Sequence, residues 1–188
     1  MVSRILYIAT ILLVPASAAA EPCAPEDPRE ACQDVEISMM PGGFGAVFVP
    51  NGHAGSPFVG GGGHVSLRLW STTNDRLAPS QGSLFLQAAL LKSNTEAHAL
   101  ALFEAGGTFT FERNPARRFL LPYFGGVVGW LEQQRLGSSA YLEPLAGVHL
   151  YWHPNFMLAV TAGYLFPFRN LDALRGVRAD LTLRFSLW

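Results

Sequence analysis

Apolar and polar residues alternate along most of this chain, in about eight segments that follow one another from Val35 onward. A period of two residues is that of a β-strand, whose successive side chains point to opposite faces. The clearest segment runs from Phe156 to Phe168: its even positions are mostly large and apolar, and its odd positions include Ala159 and Gly163. Turn residues such as His153-Pro154-Asn155 separate the segments. The pattern predicts an all-β fold.

The connections between these segments mostly alternate in length, although the predicted inner turn 74–80 is longer than expected and the predicted outer loop 93–97 is short. Short turns are predicted at one end of the strands, at 74–80, 114–118 and Pro154, and longer loops at the other end, at 51–62, 93–97, 132–139 and 169–176. Short inner turns and longer outer loops on alternate connections are typical of an up-and-down antiparallel barrel in a membrane. The glycine run 60–63 is interpreted as part of a flexible external loop, because no lysine and helix follow it as in a phosphate-binding loop.

Charged residues make up only 14% of the sequence, against about a quarter in soluble domains. Lys92 is the single lysine, so few residues are available to solvate an aqueous exterior. The large apolar faces are therefore predicted to meet lipid and the opposite faces to line the barrel interior. A net charge of −1 leaves no basic field for nucleic acid, and nucleic-acid binding is excluded.

The first 20 residues have the pattern of a signal peptide. Arg4 is followed by an apolar stretch over 5–14 and by small residues up to Ala20. After it, no run of about 20 apolar residues could form a transmembrane helix. The acidic, Pro-rich stretch 21–34 is predicted to be a periplasmic linker that precedes the barrel, 35–188. Its Cys23 and Cys32 are expected to form a disulfide, and two unpaired thiols are the alternative. Two cysteines are too few for a structural zinc site, and no metal or other cofactor is expected.

Seven ionisable side chains fall on the predicted inward faces, where a charge must be paired to be stable. An eight-stranded barrel is just wide enough for side chains to fill. We therefore predict a salt-bridged plug with little or no open pore, and a narrow conduction path is the alternative. The predicted interior network consists of Arg68, Glu104, Glu143, His149, Arg178, Asp180 and Arg184.

Aromatic residues fall near both ends of the predicted strands, where membrane proteins carry interfacial girdles. In a soluble protein the same residues would belong to the core. The predicted girdle consists of Trp70, Phe111, Trp130, Trp152, Phe166, Phe168 and Trp188.

Three stretches together resemble the bacterial outer-membrane β-barrel superfamily that includes the OmpA-type membrane domain. They are Pro122 to Gly129 (PYFGGVVG), Gly147 to Asn155 (GVHLYWHPN) and the alternating C-terminal strand, Val177 to Trp188. The resemblance covers roughly 43–188 and implies a transmembrane barrel in the outer membrane. It also implies recognition of the last strand by the barrel-assembly machinery. Trp188 departs from the family pattern, because it is one residue out of phase with Phe185 and Leu187.

His64 and Ser66 lie on one strand face, an arrangement similar to that of outer-membrane lipid A deacylases. A hydrolase also needs a carboxylate that orients the histidine and donors for the oxyanion. No third member can be assigned from the sequence. A lipid-modifying enzyme is therefore the least favoured of the functions considered.

The leading hypothesis is a non-enzymatic outer-membrane barrel with a structural or interaction-scaffold role. Its expected partners are outer-membrane lipid, the barrel-assembly machinery and, through the external loops, other envelope proteins. The alternative function is a narrow solute channel or small-ligand carrier. The alternative fold is a soluble periplasmic, lipocalin-like barrel.

Overall fold

Eight antiparallel strands, each paired with its neighbours in sequence, form a closed barrel in a computed structural model of the chain. The structure describes residues 34–51, 56–72, 80–93, 99–112, 117–134, 136–153, 155–169 and 171–187. Pairing of the last strand with the first, from Gly42 opposite Arg184 to Pro50 opposite Gly176, closes the sheet. The prediction of an all-β, up-and-down antiparallel barrel of about eight strands is confirmed. The strands are β1 (Asp34–Pro50), β2 (Phe58–Thr72), β3 (Ser80–Ser93), β4 (Ala99–Phe111), β5 (Phe119–Gln133), β6 (Gly137–His153), β7 (Phe156–Pro167) and β8 (Gly176–Phe185).

A single helical turn, α1 (Leu171–Leu174), lies in the connection from β7 to β8. We call the barrel end that carries this turn the helical rim, and the opposite end, where β1 begins, the N-terminal rim. Within the described ranges, no helix is both long and apolar enough to span a membrane. The predicted signal peptide, nearly all of the linker, and Cys23 and Cys32 lie outside the described residues.

The glycine run 60–63 belongs to β2, so its interpretation as an external loop is wrong. These glycines pair with β1 on one side and with β3 on the other. The strands approach so closely that a Cβ on Gly62 would lie 1.8 Å from the carbonyl oxygen of Ala88. A glycine run is normally a turn signal, but here the absence of side chains permits this close approach. The connection predicted over 132–139 is also shorter, because β6 already begins at Gly137, whose φ is +84°.

Buried and exposed residues alternate on every strand, and on β8 the alternation is unbroken from Gly176 to Phe185. The buried positions face the interior, which contains two apolar clusters. The larger fills the half next to the helical rim and includes Phe48, Phe58, Leu91, Leu100, Leu131 and Leu165, with Leu174 of α1 beside them. The smaller lies at the N-terminal rim and consists of Met40, Leu121, Trp152 and Met157. Polar and charged residues occupy the space between.

A β-bulge in β6 changes which face the end of this strand presents. His149 pairs with Ala159, but Tyr151 pairs with Leu158, so Leu150 is an extra residue relative to β7. An extra residue reverses the in–out alternation beyond it. Trp152 consequently points into the barrel and is only 3% exposed. Its assignment to the lipid-facing girdle, which assumed unbroken alternation, is therefore wrong.

Candidate functional site

Arg178 lies at the centre of a buried group of acidic side chains contributed by three strands. Its Nη1 contacts Glu104 on β4, its Nη2 lies 3.2 Å from Glu143 Oε2 on β6, and its Nε lies 3.1 Å from Asp180 Oδ2 on β8. All four side chains are buried. We call these four residues the carboxylate cluster. Their guanidinium and carboxylate groups hold three strands, β4, β6 and β8, to one point of the interior.

Two neutral side chains also donate hydrogen bonds to the carboxylate cluster. The Tyr141 hydroxyl donates to Glu104 Oε1, and Gln87 Nε2 donates to the other oxygen of the same carboxylate. Glu104 thus accepts from Arg178, Tyr141 and Gln87. Buried charge of this kind is stable only when its hydrogen-bonding capacity is met, and these donors come from three different strands, β3, β6 and β8. The cluster therefore depends on the correct register of the whole barrel.

Gly163 provides the space that Glu143 occupies. A Cβ built on Gly163 would lie 2.0 Å from Glu143 Oε1 and 2.8 Å from its Cδ. Gly163 pairs with Leu145, two residues from Glu143, and faces inward beside it. A glycine on β7 therefore lets the glutamate of β6 reach Arg178.

We expect Gly163→Ala to destabilise the barrel by about 1–3 kcal/mol, because the new methyl group must displace Glu143 from Arg178. Urea unfolding in detergent micelles measures the change. Gly63→Ala is the matched control, since a Cβ there meets nothing within 4 Å. Equal stability of the two variants would contradict this role of Gly163.

His64 and Ser66 both point into the barrel, where neither contacts a carboxylate of the described residues. His64 Nδ1 lies 2.9 Å from Gln87 Oε1, and the imidazole stacks on Phe85 with ring centroids 5.2 Å apart. The Ser66 hydroxyl donates to the carbonyl oxygen of Met40 at 3.4 Å. The described residues thus supply no third member for a His/Ser hydrolytic arrangement.

The seven predicted interior residues are all buried, and the structure divides them into two groups. Glu104, Glu143, Arg178 and Asp180 form the carboxylate cluster. Arg68, His149 and Arg184 lie nearer the N-terminal rim and line a separate small cavity. The His149 ring stacks on Tyr123, with centroids 4.4 Å apart, and the Arg68 guanidinium lies 4.1 Å from the centre of the Trp152 ring. The sequence identified these residues as inward-facing, but strand register decides which of them join the carboxylate cluster and which line the cavity.

The outer surface is apolar across the middle of the barrel. On β5 every outward residue from Leu120 to Trp130 is apolar or glycine. At about 3.4 Å per residue and a strand tilt of about 40°, this stretch spans about 26 Å along the barrel axis, the height of the apolar band of outer-membrane barrels. Other exposed apolar residues on this surface are Val65, Leu67, Leu84, Leu86, Leu90, Phe103, Phe109, Leu142, Val160 and Leu181.

Exposed charged side chains, by contrast, occur only at the two rims among the described residues. Arg117 is next to the N-terminal rim, where it forms an ion pair with Glu112 at 3.0 Å. At the helical rim the exposed charged residues are Lys92, Glu132, Arg169 and Arg175. This distribution is the reverse of that in a soluble domain, whose charges cover the surface and avoid the interior.

Three residues of the predicted girdle, Trp130, Phe166 and Phe168, are exposed on the outer surface. Trp188 and the side chains of Trp70 and Phe111 lie outside the described part of the chain. The structure adds an aromatic row at the N-terminal rim that the sequence analysis missed. Phe119, Tyr151, Phe156 and Phe185 follow one another across four strands, with centroid separations of 5.2, 5.7 and 5.5 Å. Only the register shows that these residues are neighbours.

Two small cavities lie in the interior among the described residues. One cavity of about 20 Å³ lies near the N-terminal rim, and one of about 10 Å³ lies between Tyr123, Arg178 and Arg184. A single water needs about 10–15 Å³, whereas sites for small organic ligands measure about 300–1,000 Å³. Within the described ranges, no three His, Cys, Asp or Glu side chains are grouped as a metal ion would require.

Fold and site together define a class of protein: a closed eight-stranded antiparallel β-barrel with a packed, ion-paired interior and an apolar outer band. Compared with models of known protein families and with curated protein sequences, the chain matches none of them.

Proposed function

We propose that this protein is an integral β-barrel of the bacterial outer membrane with a structural or interaction-scaffold role. The observation that carries the proposal is the distribution of polarity among the described residues. Apolar side chains cover the outer band, and the charged side chains lie in the interior and at the rims. In water, such a band would expose a large continuous apolar surface, which soluble monomers avoid. In a bilayer the same band is solvated by acyl chains.

The packed interior supports a scaffold over a channel or a ligand carrier. Side chains of the larger apolar cluster fill the half next to the helical rim, and the carboxylate cluster crosses the middle. The two cavities lined by described residues hold about one water each. The partners would then be lipid around the outer band, the assembly machinery at β8, and envelope proteins at the connections of the helical rim.

Membrane fractionation combined with gel mobility tests the location. We expect the protein in the outer-membrane fraction, with an unheated form that migrates differently from the heated form on a denaturing gel, because closed barrels resist detergent until heated. A soluble periplasmic fraction would contradict the proposal and favour the lipocalin-like alternative.

Planar-bilayer recording of the same purified protein tests the closed interior. We expect no reproducible unitary conductance, because the larger apolar cluster and the carboxylate cluster pack across the described interior. If the protein shows the heat-dependent mobility shift and also gives stable unitary conductance, the membrane location is supported and the scaffold role is contradicted. A narrow channel would then be the favoured function.

A further inference from the structure

Among the residues that the structure describes, no acidic side chain pairs with the buried cation Arg184. Its side chain projects inward from β8 and is part of a residue only 5% exposed. Among the described residues its Nε has no hydrogen-bond partner, and no carboxylate lies within ion-pair distance of its guanidinium. Arg178, six residues earlier on the same face, has three such carboxylates. A buried guanidinium without a counter-charge is strongly destabilising. A bound anion beside Arg184 would supply that counter-charge.

The cavity beside Arg184 has the chemistry of an anion site. Arg68, His149, Ser66, Ser83 and Thr110 line it together with Arg184, and no acidic residue does among the described residues. Ser83 Oγ and His149 Nδ1 are also buried without a hydrogen-bond partner. A hydroxyl group donates by rotating its hydrogen, and the imidazole donates in the tautomer that carries a hydrogen on Nδ1. Donors from four strands therefore converge on a space bounded by two guanidinium groups.

The size of the cavity selects the kind of anion. About 20 Å³ is slightly more than one water requires, so the space suits a monoatomic anion. A tetrahedral oxyanion such as phosphate would have to displace Met157 or Trp152, which lie against the cavity at the N-terminal rim. We propose that this cavity binds one halide-sized inorganic anion, chloride in the cell, as the counter-ion of Arg184. The proposal goes beyond the scaffold role and holds for the barrel whether or not it resides in a membrane.

The unfolding temperature of the purified full chain in zwitterionic detergent tests the site. At equal ionic strength, we expect chloride and bromide to raise it by about 2–4 °C relative to gluconate, because an anion that binds only the folded state stabilises it. Phosphate, which stabilises proteins generally because it is excluded from their surfaces, should raise it equally in the wild type and in Arg184→Gln. Arg184→Gln should abolish the difference between chloride and gluconate. Lys92→Gln, which removes an exposed rim cation, should leave that difference unchanged and so controls for general salt effects.

Crystals grown in bromide give a second measurement that does not depend on a variant that folds. An anomalous peak between Arg184, His149 and Ser83 is the expected result. The proposal is overturned if bromide leaves no peak there and chloride and gluconate give equal unfolding temperatures, since the cavity then holds only water. It is equally overturned if the chloride effect persists undiminished in Arg184→Gln, or if the effect of phosphate is also lost in that variant.

Discussion

Replacing Arg178 by methionine is expected to destabilise the barrel by about 3–5 kcal/mol, because the change leaves three buried carboxylates without their shared cation. Glu104, Glu143 and Asp180 each contact the guanidinium and are all buried. Such a loss is a large part of the about 5–15 kcal/mol that separates folded from unfolded domains. The unheated, compact gel band should weaken or disappear, and the midpoint of urea unfolding should fall accordingly.

The matched control is Arg117→Met, which removes the ion pair with Glu112 at the N-terminal rim. Arg117 is exposed, and exposed pairs contribute about 0–1 kcal/mol, so its loss should change the unfolding midpoint little. A quadruple variant, Arg178→Met with Glu104→Gln, Glu143→Gln and Asp180→Asn, tests the electrostatic cause directly. It should recover much of the lost stability, because no uncompensated charge remains. If it is as unstable as Arg178→Met alone, the loss arises from packing and not from charge.

Placing an arginine on the middle of the outer surface is the second change with a large expected effect. Leu181 is 52% exposed at the centre of β8, and Val177 is 48% exposed near the helical rim of the same strand. In a bilayer, arginine at the midplane costs about 2–4 kcal/mol, against about 0–1 near an interface. We therefore expect Leu181→Arg to reduce folding stability in lipid vesicles far more than Val177→Arg.

This pair of variants separates a membrane barrel from a soluble one, because the two positions have nearly equal exposure on one strand. In water an exposed arginine is solvated at either position, and both variants should then unfold at about the wild-type denaturant concentration. Equal, small effects in vesicles would count against a lipid-facing band. Folding yield into vesicles and urea unfolding by tryptophan fluorescence are the measurements.

Much of the architecture was predictable because the period-two pattern of a strand indicates which of its residues lie on each face. The alternation on β8 is visible in the sequence from Val177 to Phe185, and the structure repeats it with Arg178, Asp180 and Arg184 inside. Each of these assignments depends only on a residue's position within its own strand. For the same reason the inward placement of Glu104 and Glu143 was predictable from β4 and β6 alone.

Two errors have a common origin in the backbone. Gly60 to Gly63 looked like a loop because glycine usually interrupts strands, yet the neighbouring strands require glycine at Gly60, Gly61 and Gly62 for close approach. Trp152 looked lipid-facing because the alternation of β6 was extended through Leu150, where the bulge reverses it. Neither the spacing between strands nor a bulge is encoded in the pattern of one segment, because both arise from pairing with a second strand.

By itself, the sequence determined the fold class, the approximate strand count and the side of the sheet on which most residues lie, since a period of two is a local property of the chain. Only the tertiary structure decided which inward residues meet. Arg178 is 74 residues from Glu104 in the chain yet contacts it, while Arg184 on the same strand has no carboxylate partner among the described residues. That difference depends on the register of all eight strands around a closed barrel, which no single segment specifies.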